Sequence, residues 1–130
     1  KWVERLANDL QVDAAFVFKR RISETETEVM ALAADVEGRS VVIYDDMIRT
    51  GGSLVSAATS FRDAGARDVY AVCTHGVFAN DSLGAIRASG ALEGIACTNS
   101  RPLAQDLADG DFLRVYSIAD LIAQFLDASV

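Results

Sequence analysis

Val41-Val42-Ile43-Tyr44-Asp45-Asp46-Met47-Ile48-Arg49-Thr50-Gly51-Gly52-Ser53-Leu54 is the stretch around which the 130-residue chain is organised. An apolar, β-branched run from Ser40 to Tyr44 stops at two adjacent carboxylates, and a loop with two glycines follows. Such a run predicts a central strand covered on both faces. Leu54, Ala57, Ala58 and Phe61 then repeat at helical spacing, with Ser53 in the cap position and Gly65 just past the end. Strand, small cup and helix N-terminus are therefore expected in that order.

Working outward, the same alternation continues. Val3, Leu6, Ala7 and Leu10 make an amphipathic helix at the start. Ala14 to Phe18 reads as a short buried strand that ends in Lys19-Arg20-Arg21, the densest positive cluster of the chain, and a polar stretch runs from Ile22 to Thr27. On spacing alone that triplet is a solvated strand end or, second, an arm reaching for phosphates. Val29 to Val36 fits a strand or a helix, with the strand preferred because the run is short and ends at the turn Glu37-Gly38-Arg39. Val69 to Cys73 and Gly94 to Thr98 read as buried strands, Ser82 to Ser89 as a short helix stopped by Gly90, and Pro102 as a loop marker. Phe112 to Tyr116 is a last strand. Ser117 with Asp120 resembles a capping box before the stripe Ile118, Leu121, Ile122, Phe125. Strands alternating with helices at short spacing predict one α/β domain over residues 1–130: a mostly parallel sheet flanked by helices. In such sheets ligands bind at the carboxyl ends of the strands. The polar motifs at 19–21, 45–53, 74–76 and 98–100 all follow strands and should meet on one edge.

Composition narrows the function classes. The hydrophobic fraction of 51% supports a packed core, and a formal net charge of −7 argues against a non-specific nucleic-acid binder. No apolar run approaches the roughly 20 residues that span a bilayer, and no signal-peptide pattern opens the chain. Cys73 and Cys97 each sit inside an apolar run and read as two reduced core thiols, which points to a cytoplasmic compartment. No Cys/His spacing suggests zinc. The chain opens at Lys1, directly in a helical pattern, as a fragment of a longer protein would.

The central loop has a definite chemistry. Thr50-Gly51-Gly52-Ser53 can turn several backbone N–H groups onto one anion, and the helix that follows adds the positive end of its dipole. Asp45 and Asp46 would repel a bare phosphate. They make sense facing vicinal hydroxyls or a magnesium ion carried on the ligand. Hydroxyls at one end and an anion at the other describe a ribose 5-phosphate. The loop lacks the Gly-Lys-Ser/Thr of a Walker motif and the Gly-x-Gly-x-x-Gly of a dinucleotide site.

Val41 to Leu54 resembles the phosphoribosyl-diphosphate (PRPP) binding motif of type I phosphoribosyltransferases. Around it, Lys19-Arg20-Arg21, Glu28-Val29-Met30, Asp35-Val36-Glu37-Gly38, Ala64-Gly65-Ala66, Val69-Tyr70-Ala71, Thr74-His75-Gly76-Val77-Phe78 and Thr98-Asn99-Ser100 follow the order and spacing of the ribose-phosphate pyrophosphokinase family. The resemblance covers nearly the whole chain and matches the C-terminal half of that enzyme. It implies the type I phosphoribosyltransferase fold, with an N-terminal half of the same type before Lys1, and homo-oligomerisation. It also implies a reaction in which the 1-hydroxyl of ribose 5-phosphate attacks the β-phosphorus of Mg-ATP, giving PRPP and AMP. By position, Asp45, Asp46, Arg49, Thr50, Gly51, Gly52 and Ser53 resemble the ribose 5-phosphate site, and Lys19 and Arg21 the catalytic-loop pair. Arg49 departs from the motif, where the family often has Asp. His75 is read first as a structural histidine, with a ligand contact as the alternative; the family's metal-binding His and its Asp partner have no counterpart in these stretches, so no protein metal ligand is assigned. Two rivals stand beside this reading: a phosphoribosyltransferase that consumes PRPP, and a non-catalytic regulatory subunit that keeps the fold.

Overall fold

The structure is a computed structural model. It describes residues 2–15, 17–21, 27–32 and 35–127, with 17–21 and 27–32 described by their backbone. In chain order the elements are α1 (Trp2–Leu10), β1 (Val17–Arg21), β2 (Thr27–Leu32), β3 (Ser40–Ile48), α2 (Gly52–Asp63) and β4 (Asp68–Gly76). They continue with α3 (Ser82–Ala88), β5 (Gly94–Thr98), α4 (Pro102–Leu107), β6 (Leu113–Tyr116) and α5 (Ala119–Asp127).

Strands β3, β4, β5 and β6 form an all-parallel sheet in that spatial order. Val41 pairs with Val69, Ala71 with Ile95, and Ile95 with Leu113. The strands advance in one direction and each crossover carries one helix, so right-handed connections put α2, α3 and α4 on the same face. The core agrees: Leu54, Ala58 and Phe61 of α2, Ile86 of α3 and Ala104 of α4 cluster with Val69, Ala71, Cys73, Ile95, Cys97 and Leu113 of the sheet. The predicted stripe of α2 is wholly buried. Gly65, at φ +88°, ends that helix, and its N–H reaches the Arg62 carbonyl at 2.9 Å.

Four expectations change. β3 is an edge strand among the described residues, not a central one: Val42 is 59% exposed, and Tyr44, Tyr70 and Val72 share that open face. A continuous apolar run shows that a strand can be covered on both faces; it does not show that the cover lies in the same segment. Second, Ala14 and Ala15 precede the strand. β1 starts at Val17, runs through the basic triplet and pairs antiparallel with β2 as a separate hairpin, Lys19 opposite Val29 and Arg21 opposite Thr27. Pairing with the β-prone Thr27–Leu32 extends the strand, and basic residues suit such an edge. The polar stretch after it lies outside the described residues from 22 to 26. Third, Pro102 opens α4 as its first residue, where its missing N–H has no intrahelical use. Fourth, α5 forms as its stripe predicts but buries no residue, and Phe125 is 76% exposed.

Cys73 and Cys97 are free, buried and paired in register on β4 and β5. Their mutual hydrogen bond, with burial, pushes the Cys73 thiol up, and the same contact draws Cys97 down.

At the far end of the sheet Asp109 ties the α4–β6 loop. Its carboxylate accepts the N–H groups of Leu113 and Asp111 at 2.9 and 3.0 Å and the Arg87 guanidinium at 2.6 Å. The Leu113 N–H is the largest cause that holds its pKa below the usual carboxylate value, with the Asp111 N–H and Arg87 adding to it against a smaller desolvation effect. A folded-state pKa below the unfolded one contributes stability above the ordinary carboxylate range, about pH 4, and the contribution fades as pH falls through the lower folded value. Thermal melts of Asp109→Asn should show a lower Tm than wild type at pH 7, with the gap closing below about pH 4.

Candidate functional site

β3 does not stop at its carboxylates. It continues through Asp45 and Asp46 to Ile48, so both lie near the carboxyl end of the strand. Successive strand residues alternate faces, which sends the two side chains to opposite sides. Both are exposed, and Asp45 Oδ1 accepts the N–H of Asp46 at 2.9 Å.

Arg49 and Thr50 then bend the chain, and Gly51 sits in the left-handed region at φ +77° immediately before α2. Its carbonyl accepts the N–H of Val55 at 2.8 Å, so Gly51 is the helix cap and Ser53 lies inside the first turn. The expected serine cap gives way because the tight turn needs a positive φ, which glycine adopts without a Cβ penalty. A Cβ at Gly51 would overlap the Ile86 Cδ1 and Cγ1 atoms; one at Gly52 would meet nothing within 4 Å. Gly51 is required by packing, and Gly52 has open space around its Cα. The N–H groups of the first turn of α2 have no intrahelical acceptor, and the 12-residue helix adds its dipole there.

The back of the loop is pinned by the segment between β4 and α3. The Ile48 carbonyl accepts the N–H groups of Val77 and Phe78 at 3.0 and 3.1 Å. The Arg49 carbonyl accepts the Ala79 N–H at 2.8 Å and the Ser82 hydroxyl at 3.0 Å. The Arg49 side chain itself is exposed.

The neighbouring motifs meet this loop at the same edge. Met47 pairs with His75 and Ile48 with Gly76, and His75 bridges to Asn99. The hydroxyls of Thr98 and Ser100 both donate to the Thr74 carbonyl, at 2.7 and 3.0 Å. Ser100 Oγ also forms a 2.8 Å hydrogen bond with His75 Nδ1. His75 therefore has a structural partner, as expected. Asn99 joins the edge to α5 by accepting the Ile118 N–H at 3.2 Å.

Three of the four predicted motifs, 45–53, 74–76 and 98–100, are thus brought together. The fourth is not part of the sheet: Lys19 and Arg21 lie two positions apart in β1, and their side chains are outside the described residues. The partner strand β2 contacts α2, on the helix-covered side of the sheet. A cavity of about 690 Å³ between α1, β3 and α2 is lined mostly by apolar residues such as Leu6, Ile43 and Phe61, and it includes none of the loop residues 45–53. Among the described residues no group of three His, Cys, Asp or Glu side chains could hold a metal ion.

The phosphoribosyl synthetase-associated domain matches residues 7–127. The chain belongs to this family. A ribose-phosphate pyrophosphokinase of Ralstonia nicotianae is 41% identical over 119 residues, 92% of this chain and 37% of that protein. One from Pyrococcus abyssi is 42% identical over 99 residues, 76% of this chain and 34% of that protein. In three dimensions the chain is similar to a phosphoribosylpyrophosphate synthetase from Mycobacterium smegmatis, with a TM-score of 0.79 and 32% identity over 97% of this chain and 40% of the other. The chain therefore spans a little over a third of the length of the curated relatives it matches, and its α/β fold with a parallel sheet is the fold of that synthetase.

Two residues that hold the loop escape a reading of the sequence. Ser82 lies 33 positions from the loop that its hydroxyl touches, and Ile86 meets Gly51 from the same helix. Only the Asn80-Asp81-Ser82 run, rich in turn and cap residues, hints that something is anchored there.

The two glycines should separate cleanly in urea unfolding. Gly51→Ala combines left-handed strain with overpacking against Ile86 and is expected to lose about 2–4 kcal/mol. Gly52→Ala, with open space around it, should change stability by less than about 1 kcal/mol.

Proposed function

We propose that the protein carrying these residues is a ribose-phosphate diphosphokinase, which transfers diphosphate from Mg-ATP to ribose 5-phosphate to give PRPP and AMP in nucleotide biosynthesis. The observation that carries this reading is the arrangement of Asp45 and Asp46, the left-handed Gly51 and the start of α2 at one sheet edge, in a chain of this family. In this reading the chain supplies the ribose 5-phosphate site. The amides of Thr50 to Ser53 take the 5-phosphate, and Asp45 and Asp46 accept from ribose hydroxyls. Lys19 and Arg21 stabilise the charge of the diphosphate in transfer. Such a transfer needs positioning and charge stabilisation more than covalent help from the protein.

Residues outside this chain complete the ATP side, with these 130 residues as the C-terminal half of a cytoplasmic homo-oligomer. Magnesium arrives on the triphosphate, in keeping with its habit of binding substrate phosphates plus one or two carboxylates, and offsets the phosphate charge there. A second reading, a non-catalytic subunit of the same fold, rests on Arg49 standing where the family often has Asp. A phosphoribosyltransferase consuming PRPP draws on the central motif alone, without the flanking motifs.

In the complete protein, Asp45→Ala and Lys19→Ala should each lower AMP formation from ATP and ribose 5-phosphate by at least about 10²-fold. Turnover at the wild-type rate in either variant overturns the assignment. A wild-type protein that binds ribose 5-phosphate and never forms AMP favours the regulatory reading.

A further inference from the structure

We infer that Ser82 is a positioning residue that sets which way the amides of the anion loop point. The inference rests on the sugar-phosphate reading of that loop. A trans peptide is planar, with its C=O and N–H on opposite sides. The Arg49 carbonyl points back into the β4–α3 segment, where the Ala79 N–H and the Ser82 hydroxyl donate to it at 2.8 and 3.0 Å. The N–H of Thr50, on the same peptide, is therefore turned the other way, out of that segment and toward the cup. Turning this peptide over would replace a donor facing the phosphate with a carbonyl oxygen that repels it.

Of the two bonds holding the carbonyl, one comes from the backbone and survives any substitution. The other belongs to Ser82. Among the described residues Ser82 is the one buried polar side chain, 8% exposed, and its hydroxyl needs a partner there. α3 closes without it, since the helical bonding of Ser82 runs through its N–H to the Ala79 carbonyl at 3.3 Å. The same helix holds the loop one turn later, where Ile86 packs against the bare Cα of Gly51. Thr50 lies between these two anchors, with its peptide clamped on one side by a hydroxyl and on the other by a methyl.

The hydroxyl is the piece of this clamp that can be removed alone. Ser89, on the other end of α3, is a matched control: its hydroxyl donates to the Ile86 carbonyl at 2.6 Å and accepts the Ala91 N–H at 3.2 Å, away from the loop. Calorimetric titration with ribose 5-phosphate on the complete protein compares wild type, Ser82→Ala, Ser82→Thr and Ser89→Ala. Losing one hydrogen bond predicts about three- to tenfold weaker binding for Ser82→Ala, seen in turnover as a raised KM with a smaller change in kcat. Ser82→Thr keeps the hydroxyl and should restore binding; Ser89→Ala should lose stability with its affinity unchanged. The Thr50 amide resonance should shift in ligand-free Ser82→Ala and return in Ser82→Thr. If Ser82→Ala does not fold, Ser82→Cys, of similar size and a weak donor, carries the same expectation. Wild-type affinity in Ser82→Ala with an unmoved Thr50 amide overturns the positioning role and leaves the sugar-phosphate reading standing. A wild-type protein that does not bind ribose 5-phosphate overturns both.

Discussion

The contact between Gly51 and Ile86 is the constraint from which the site follows. The chain leaves β3 at Ile48 and must begin α2 at Gly52, with α2 and α3 packed on the same face of the sheet. So short a connection demands a left-handed residue, and the approach of α3 leaves no room for a Cβ on it. Only glycine meets both demands. Once the turn is closed, the first turn of α2 lies at the sheet edge, with N–H groups that have no acceptor within the helix. The same packing that completes the core thus shapes the loop proposed as the anion cup. No separate device is needed to aim it, beyond the bonds that hold the Ile48 and Arg49 carbonyls to the rear.

Much of this architecture is legible from the residues because it rests on periodicity. The stripe Leu54, Ala57, Ala58, Phe61 can only be a helix face, and Gly94 to Thr98 matches β5 to the residue. The failures have a common cause: each depends on a partner distant in sequence. β1 runs on through Lys19-Arg20-Arg21 because β2 pairs with it. β3 extends past its carboxylates because β4 offers a register out to Gly76. Pro102 opens a helix because Ala104 finds a fully buried place in the core. Ser82 matters through a carbonyl 33 residues away. In the site itself, the loop and its glycines are visible in the sequence, whereas the division of labour between them is not. Gly51 serves packing and Gly52 leaves space, which only three-dimensional neighbours decide.

The two faces of the sheet are unequal. The helix-covered face carries the core, while Val42, Tyr44, Tyr70 and Val72 remain open on the other. Parallel sheets are normally covered on both faces, and near-continuous apolar strands are the sequence mark of that burial. β3 has the mark without the second cover among the described residues. Leu121, Ile122, Phe125 and Leu126 of α5 are exposed in the same way. Among the described residues the sheet is thus packed mainly on one face, with a cavity of about 690 Å³ between α1, β3 and α2. The sheet edge that carries the cup lies beside Phe78 and Cys97, which leave no room for a side chain at Gly76.

Arg49 fits this scheme better than its departure from the family pattern implies. What the loop takes from position 49 is a carbonyl, held by Ala79 and Ser82, and every residue type supplies one. The side chain is exposed and can differ without moving the amides. Its charge acts at short range, within a Debye length of roughly 8–10 Å. In the proposed reading, that is the distance over which two neighbouring carboxylates, Asp45 and Asp46, would oppose an incoming phosphate. In a chain of net charge −7, a cation beside the cup offsets that opposition where it is felt. A carboxylate at the same position would instead add a third acceptor for hydroxyls. In the proposed sugar-phosphate reading, exchanging one for the other would shift the balance of the edge from holding the sugar toward holding the phosphate, while the backbone that shapes both remains the same.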